Sequence, residues 1–217
     1  MADIKKMMFD DKYGLEQAVL NGTKTMTRRN IPVDLYNRMD FRAFINGDND
    51  IVASDECGAY FDWHDFTPFK INDVVGIAQP YKDIVGLEPQ DLIYTTKIID
   101  GKKQKGYFPV STLPGWSNKM FVQGQLMEYF IKITDVKIER LQDISDEDCM
   151  REGILIAENA IDENKYYFDV YGKHVSRWWF PTPKDAFEGL MRKINGKGFW
   201  EKNPYVYVYS FELIKPN

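Results

Sequence analysis

The residues best suited to chemistry lie together in residues 22–29, between a predicted amphipathic helix and an Asn-Ile-Pro segment. This stretch holds three hydroxyls and three cations. On a turn, such side chains and the backbone can converge on one ligand. We therefore expect it to bind an anion or to polarise a carbonyl group. The hydroxyl and cationic residues are Thr23, Lys24, Thr25, Thr27, Arg28 and Arg29.

Aromatic residues form a second set of candidates, because flat rings stack on nucleic-acid bases with about 1 to 3 kcal/mol per base. Most aromatic residues fill protein cores, and we expect this of residues 205–211. Trp116 and Trp178 occupy Gly-flanked, Ser-flanked or polar loop settings, so we predict that they line a pocket. The wider set comprises Tyr81, Trp116, Tyr166, Tyr167, Trp178, Trp179 and Trp200.

The sequence offers no pattern for a metal or cofactor. His64 and His174 have no Cys or acidic neighbour at ligand spacing. Cys57 and Cys149 lack a CxxC spacing, and no signal peptide is recognisable. We expect no metal and no cofactor, and a reducing, cytoplasmic setting.

The charge balance limits the classes of molecule that the chain is expected to bind. A net charge of −5 and a pI near 5.2 disfavour duplex DNA, although a local basic cleft can still attract a nucleic acid. Residues 102–105 (Lys-Lys-Gln-Lys) fit a solvated hairpin tip or, alternatively, an RNA contact. No apolar run approaches the roughly 18 to 20 residues that span a bilayer, so we expect no membrane role. The oligomeric state is left open.

Three short helices are expected to position these residues. The first runs from Asp10 or Asp11 to about Asn21 and places the cationic loop at its end. Ser145 caps the second, which ends near residues 152–153. The third covers residues 183–196, with an apolar stripe at helical spacing. That stripe is Ala186, Phe187, Leu190, Met191 and Ile194.

The remaining pattern is mainly β. Strands are predicted at 4–9, 74–81, 92–100, 126–141 and 205–213, with a hairpin turn at Asp100-Gly101. A phase slip between Ile133 and Val136 predicts a bulge or bend. Residues 34–46 are predicted to be a short helix and 47–68 an irregular insertion. We expect one α+β domain, a small β-barrel decorated by short helices.

Three segments, in this order, resemble the ASCH family, whose domains share the PUA-like β-barrel. Residues 22–29 match its signature G-x-K-T-x-T-x-R. Residues 140–154 are similar to the family helix that ends in Glu-Gly or Glu-Asn. Residues 200–208 resemble the W-x-x-N-P-aromatic-V close of longer members. The resemblance implies a single PUA-like domain over 1–217, with insertions around 35–66 and 155–180.

The chain also departs from the family. Residues 69–79 stand where longer members have K-x-G-D-x-hydrophobic-W-V-R-E. Here Asn72 replaces the Gly, and Ala78-Gln79 replace the Arg-Glu pair. Any role of that charged pair is therefore absent from this chain.

The resemblance also implies an activity. Some compact ASCH proteins are amidohydrolases of N4-acetylcytidine, and their Lys, Thr and Glu fall on Lys24, Thr27 and Glu152. A Thr hydroxyl becomes nucleophilic when a base such as a Lys of lowered pKa takes its proton. Glu152 would protonate the leaving amine or orient Lys24. The chemistry requires no metal. Thr25, Arg28, Arg29, Trp116 and Trp178 would bind the substrate.

Two alternatives stay open. Lys24 and Glu152 also fit an ion pair that pins the loop to the helix, with Thr25 and Thr27 capping the turn. The chain would then be a PUA-like module that binds a modified base, a nucleoside or single-stranded RNA without chemistry. A structural or regulatory protein that kept the barrel but lost the reaction is the other reading.

Overall fold

The structure of the protein is a computed structural model that describes residues 4–33, 35, 40–45, 51–54, 60–61, 66–157, 165–168 and 179–214. Helices and strands are numbered in chain order. The helices are α1 (Leu15–Leu20), α2 (Asp146–Arg151), α3 (Pro183–Asn195) and α4 (Phe199–Lys202). The strands are β1 (Lys6–Met7), β2 (Met26–Asn30), β3 (Asp40–Ile45), β4 (Ile51–Ser54), β5 (Tyr60–Phe61), β6 (Val74–Ile77), β7 (Leu92–Ile99), β8 (Lys102–Pro109), β9 (Phe130–Arg140), β10 (Leu155–Ile156), β11 (Tyr166–Tyr167) and β12 (Tyr205–Ile214).

Strands predominate over helices, which confirms the expected mixed α+β class. The pairings among the described strands form open sheets, so barrel closure stays a prediction. The chain divides into two compact units. The first comprises Met1–Phe9, Val74–Ile131 and Ile214–Asn217, and the second comprises Asp10–Asp73 and Lys132–Leu213. This division does not decide whether the chain forms one domain, so the single domain stays a prediction.

The first unit is built on a parallel strand pair and a hairpin. Strand β1 pairs with β6, and β7 pairs with β8 along the full length of both strands. Asp100 and Gly101 join β7 to β8 with φ of 50° and 74°, the left-handed conformation that a two-residue hairpin turn requires. Buried apolar residues form the core of this unit. They are Ala78, Tyr81, Ile93, Val110, Leu113, Val122 and Met127.

The second unit carries the cationic loop. Its strand order is β9-β12-β2, and β12 runs antiparallel to β2. The side chains of residues 205–211 are all buried, which confirms the core role predicted for the aromatic residues of this strand. Helix α3 buries Ala186, Phe187, Leu190 and Met191, as the helical spacing predicted. Ile194 is exposed instead, because the last turn of α3 extends beyond the packed surface.

Several local predictions are confirmed. Ser145 caps α2, since its hydroxyl accepts a hydrogen bond from the Asp148 N–H at 3.1 Å. The predicted phase slip is visible in β9, where Ile131 and Ile133 are buried and burial resumes at Val136 rather than at residue 135. Local chemistry is sufficient for these features, because each depends on residues close in sequence.

Two predictions about residues 34–68 are wrong in part: Leu35 is helical and residues 66–68 are irregular as predicted, but strands occupy the other described positions. The predicted helix at 34–46 includes Asp40–Ile45, which is strand β3. The predicted irregular segment at 47–68 includes β4 and β5, and β4 pairs with both β3 and β5. Antiparallel pairing between segments overrides the weak local preference of each. The rest of both segments lies largely outside the described residues.

Candidate active site

The loop that carries Lys24 is attached to two helices through its backbone. The Lys24 N–H and the Thr23 hydroxyl both donate to the Ala18 carbonyl in α1, at 2.9 and 3.0 Å. The Thr25 N–H donates to the carbonyl of Arg151, the last residue of α2, at 2.9 Å. The loop therefore lies between α1 and the end of α2.

Lys24 and Glu152 form a buried ion pair. Each residue is only 2% exposed. The Lys24 Nζ donates to Glu152 Oε2 at 2.6 Å and to the Glu152 carbonyl at 2.7 Å. Glu152 is the C-terminal cap residue of α2, and its carbonyl oxygen and Oε2 both accept from the amine. A charge removed from water in this way requires such a partner.

Arg28 extends the pair into a larger cluster. Its Nη1 donates to Glu152 Oε1 at 3.1 Å, and its Nη2 donates to Asp148 Oδ2 at 3.2 Å and to Glu139 Oε1. The guanidinium carbon lies 5.8 Å from the centroid of the Phe187 ring of α3. Arg28 thus joins carboxylates from α2 and β9 on one buried side chain.

The cluster also reaches the surface. The half-exposed Lys137 pairs with Glu139 at 2.8 Å, and Arg151 pairs with Asp148 at 3.3 Å. Positive and negative side chains alternate from the buried Lys24–Glu152 pair to the surface. The attraction between neighbours offsets the free-energy cost of removing the buried charges from water. The cations are Lys24, Arg28, Lys137 and Arg151, and the carboxylates are Glu139, Asp148 and Glu152.

Burial and neighbouring charges set the proton affinity of these cations. Burial lowers the pKa of Lys24 from 10.5; Glu152 opposes this shift, and the positive Arg29 and Arg28 reinforce it. Burial also lowers the pKa of Arg29. For Arg28, burial acts in the same direction, but the charges of Glu152 and Glu139 outweigh it and raise its pKa. Of the three cations, Lys24 is the one that can lose its proton when buried, because a guanidinium group stays charged.

Thr27 lies on the face of β2 opposite to that of Arg28. Side chains alternate along a strand, so Thr27 and Arg29 project opposite to Arg28. Thr27 is buried and pairs with Tyr209, whose hydroxyl lies 2.6 Å from Thr67 Oγ1. Within the described part of the chain, no side-chain hydrogen bond involves the Thr27 hydroxyl.

The two faces of β2 are nevertheless in electrostatic contact. Arg29 shares the face of Thr27, and its charge lowers the pKa of Lys24. In return, the charge of Glu152 acts to raise the pKa of Arg29. Lys24 precedes β2 by two residues, and its amine contacts Glu152, which also contacts Arg28.

The other predicted site residues have different surroundings. The Thr25 hydroxyl accepts a long hydrogen bond of 3.4 Å from Arg151 Nε. Trp116 belongs to the first compact unit, where it is half-buried and packs against the apolar cluster of that unit. Trp178 lies outside the described residues. Lys24 and Glu152 are therefore in direct contact, Arg28 joins them, and Thr25 lies beside them.

Glu139 and Asp148 are members of the site that sequence reasoning missed. Asp148 precedes Glu152 by four residues, a spacing that places both on one helix face. The sequence therefore contained a signal that Asp148 and Glu152 share a face. Glu139 lies on β9, and its position beside Arg28 had no local signal.

Comparison with protein-family models, with curated proteins and with solved structures found no match to this chain. Among the described residues, no helix has the length and apolar character needed to cross a membrane, and no three His, Cys, Asp or Glu side chains are arranged so that they could hold a metal ion.

Proposed function

We propose that this chain is an ASCH-family protein of the PUA-like class that hydrolyses the amide of N-acylated pyrimidine nucleosides such as N4-acetylcytidine. One observation carries the proposal. A fully buried lysine of lowered pKa, Lys24, is hydrogen-bonded to Glu152 and lies three residues before a buried threonine, Thr27. A lysine with these properties is suited to activate a hydroxyl.

In the first half-reaction, the neutral amine of Lys24 takes the proton of the Thr27 hydroxyl. The Thr27 oxygen forms a bond to the acetyl carbonyl carbon. The carbon–nitrogen bond then breaks, and the proton passes to N4 of the leaving cytidine. In the second half, water attacks the acetyl-threonine ester, its proton returns through Lys24 to Thr27, and acetate leaves.

The contacts of Glu152 support an orienting role rather than that of proton donor. Both carboxylate oxygens accept a hydrogen bond from a side-chain nitrogen, Oε2 from Lys24 Nζ and Oε1 from Arg28 Nη1. A protonated carboxyl group would instead donate a hydrogen bond through its O–H. We therefore assign the proton of the leaving amine to Lys24 and the positioning of that amine to Glu152.

Arg29 is the best candidate to stabilise the developing oxyanion. The backbone N–H groups of Lys24 and Thr25 already donate to Ala18 and Arg151, so neither is available to a substrate. Arg29 shares the strand face of Thr27 and carries a charge on that side. A cation at this position stabilises negative charge as it forms on the carbonyl oxygen.

The ion cluster also favours a second function, a non-catalytic PUA-like module that binds RNA or a modified base. Lys24 and Glu152 satisfy each other, and alternation in β2 points Thr27 away from Arg28. In this function the cluster only holds the loop in place for binding.

Hydrolysis of free N4-acetylcytidine, followed by its ultraviolet change, tests the enzyme directly. We expect turnover by the wild type and a loss of at least about 100-fold in kcat/KM for Lys24→Ala and Thr27→Val, since base and nucleophile act as one unit. Thr23→Val is the matched control, because it removes a hydroxyl of the same loop from outside the proposed reaction.

Two results would refute the enzyme. One is absence of turnover by a folded wild type, and the other is full turnover by Lys24→Ala. Binding of cytidine nucleosides without hydrolysis, measured by calorimetry, would identify the binding module instead.

A further inference from the structure

The β7–β8 hairpin has one anchored face and one free face. Paired residues of antiparallel strands share a face, and faces alternate along each strand. Ile93 is buried in the apolar cluster of the first unit, and its partner Phe108 packs against the same cluster. The opposite face is solvent-exposed along its length. Its residues are Leu92, Tyr94, Thr96, Ile98, Lys103, Lys105, Tyr107 and Pro109.

Two tyrosines occupy the centre of the exposed face. Tyr94 and Tyr107 are directly opposite each other, with ring centroids 5.0 Å apart. They are 53% and 68% exposed. Exposed apolar surface that is contiguous in this way can serve as an interaction site. The pair therefore presents flat apolar surface to a partner.

The hairpin is also strongly basic. Its two strands carry four lysines and no Asp or Glu among their sixteen residues, and the turn adds one carboxylate, Asp100, whereas the whole chain has a net charge of −5. The ion pairs recorded for the described residues include none of the four. Lys105 Nζ lies 6.0 Å from the centroid of the Tyr94 ring. Lys103 and Lys105 lie on the exposed face with the two tyrosines, whereas Lys97 and Lys102 lie on the opposite face of the hairpin.

We propose that this exposed face, the tyrosine–lysine face of the hairpin, binds single-stranded nucleic acid. Unpaired bases stack on Tyr94 and Tyr107, and Lys103 and Lys105 contact the phosphates. The positive charge that these two lysines place on the face is complementary to a polyanion. A duplex hides the base faces that the rings would need, so the partner is single-stranded. This binding site goes beyond the proposed deacetylation and does not use Lys24.

Fluorescence anisotropy of a fluorescein-labelled uridine dodecamer with the full-length protein tests the stacking. We expect Tyr94→Ala/Tyr107→Ala to weaken binding at least tenfold, in line with about 1 to 3 kcal/mol per stacked base. Tyr94→Phe/Tyr107→Phe keeps both rings and should bind within about twofold of the wild type. Both tyrosines are exposed, so circular dichroism spectra should not change.

The salt dependence of binding tests the lysines. For single strands the logarithmic salt slope is about −0.7 per phosphate contact, so Lys103→Ala/Lys105→Ala should flatten it by about 1.4. Lys197→Ala/Lys202→Ala removes the same charge from exposed positions elsewhere and should leave the slope unchanged.

Equal binding by the wild type and the tyrosine-to-alanine variant would overturn the proposal. So would equal effects of the two lysine pairs, or binding to phosphatidylserine vesicles with no binding to the dodecamer. The hairpin variants should hydrolyse free N4-acetylcytidine at the wild-type rate, whatever that rate is. Failure of the deacetylation and failure of nucleic-acid binding are therefore separate results.

Discussion

At the scale of single residues, Arg28 holds the candidate site together. Its side chain is almost fully buried and contacts Glu139, Asp148 and Glu152. Glu139 belongs to β9, Asp148 belongs to α2, and Glu152 is the C-terminal cap of α2. The positive guanidinium between them reduces the repulsion among these three negative charges. Lysine has a single ammonium group and cannot reproduce this planar, multidentate geometry.

Removal of Arg28 should therefore be costly. We expect Arg28→Met to lower the free energy of unfolding by about 3 to 5 kcal/mol, because it leaves buried carboxylates without their partner. Urea unfolding followed by circular dichroism measures this loss. Adding Glu139→Gln should recover part of it, since one repulsive charge is then removed. A loss below about 1 kcal/mol in the single variant would contradict the buried cluster.

At the scale of elements, the end of α2 positions Glu152. Helix α2 ends at Arg151, and Gly153 follows the cap residue Glu152. The φ of Gly153 is 100°, a backbone conformation that residues with a side chain rarely adopt. Neighbouring atoms are no obstacle there, since an added Cβ would meet Leu15, Ala18 and Lys24 at 3.6 to 3.7 Å. Glycine is thus needed for the backbone turn that lets the carbonyl of Glu152 reach the Lys24 amine.

Gly153→Ala should destabilise the protein by about 1 to 2 kcal/mol, through backbone strain rather than a clash. Thermal unfolding measures the effect. Gly106→Ala is the control, because its φ is outside the left-handed region and its Cβ contacts would be an ordinary 3.9 Å. That control should change stability by less than about 0.5 kcal/mol. Equal effects of the two substitutions would show that strain at Gly153 is unimportant.

At the scale of the whole molecule, buried titratable groups give the stability a defined pH dependence. Burial raises the pKa of Cys149 from 9.0 to about 12 and that of Tyr207 from 10.0 to about 12. The unfolded chain loses these protons first, so stability falls as the pH rises from about 9 to about 12. Lys24 has the opposite effect on stability. Its pKa is lowered in the folded protein, which therefore loses this proton before the unfolded chain does, so Lys24 makes the stability rise with pH.

We therefore expect the free energy of unfolding to fall between pH 9 and pH 11. The fall should be smaller in Cys149→Ala, which lacks the buried thiol. Urea unfolding at a series of pH values measures both profiles. Lys24→Met should show a steeper alkaline fall than the wild type, because it loses the compensating group. Identical profiles for all three proteins would contradict the assigned directions.

Short-range patterns in the sequence determined most of the individual elements. The aromatic alternation predicted β12, Asp100-Gly101 predicted the hairpin turn, and Ser145 predicted the start of α2. Each depends on residues that are neighbours in the chain, so local propensity is sufficient. Residues 40–45 show the limit, because their strand forms by pairing with β4, which no local pattern in them indicated.

The sequence by itself also singled out Lys24, Thr27, Arg28 and Arg29 as chemically notable, through residue type and spacing. Only the tertiary structure decided that Arg28 lies among three carboxylates. Its hydrogen bonds span 111 to 124 residues of chain. Contacts of that range depend on how separate elements pack, and packing depends on the burial of all their faces together. That is why residue types were readable from the sequence and their partners were not.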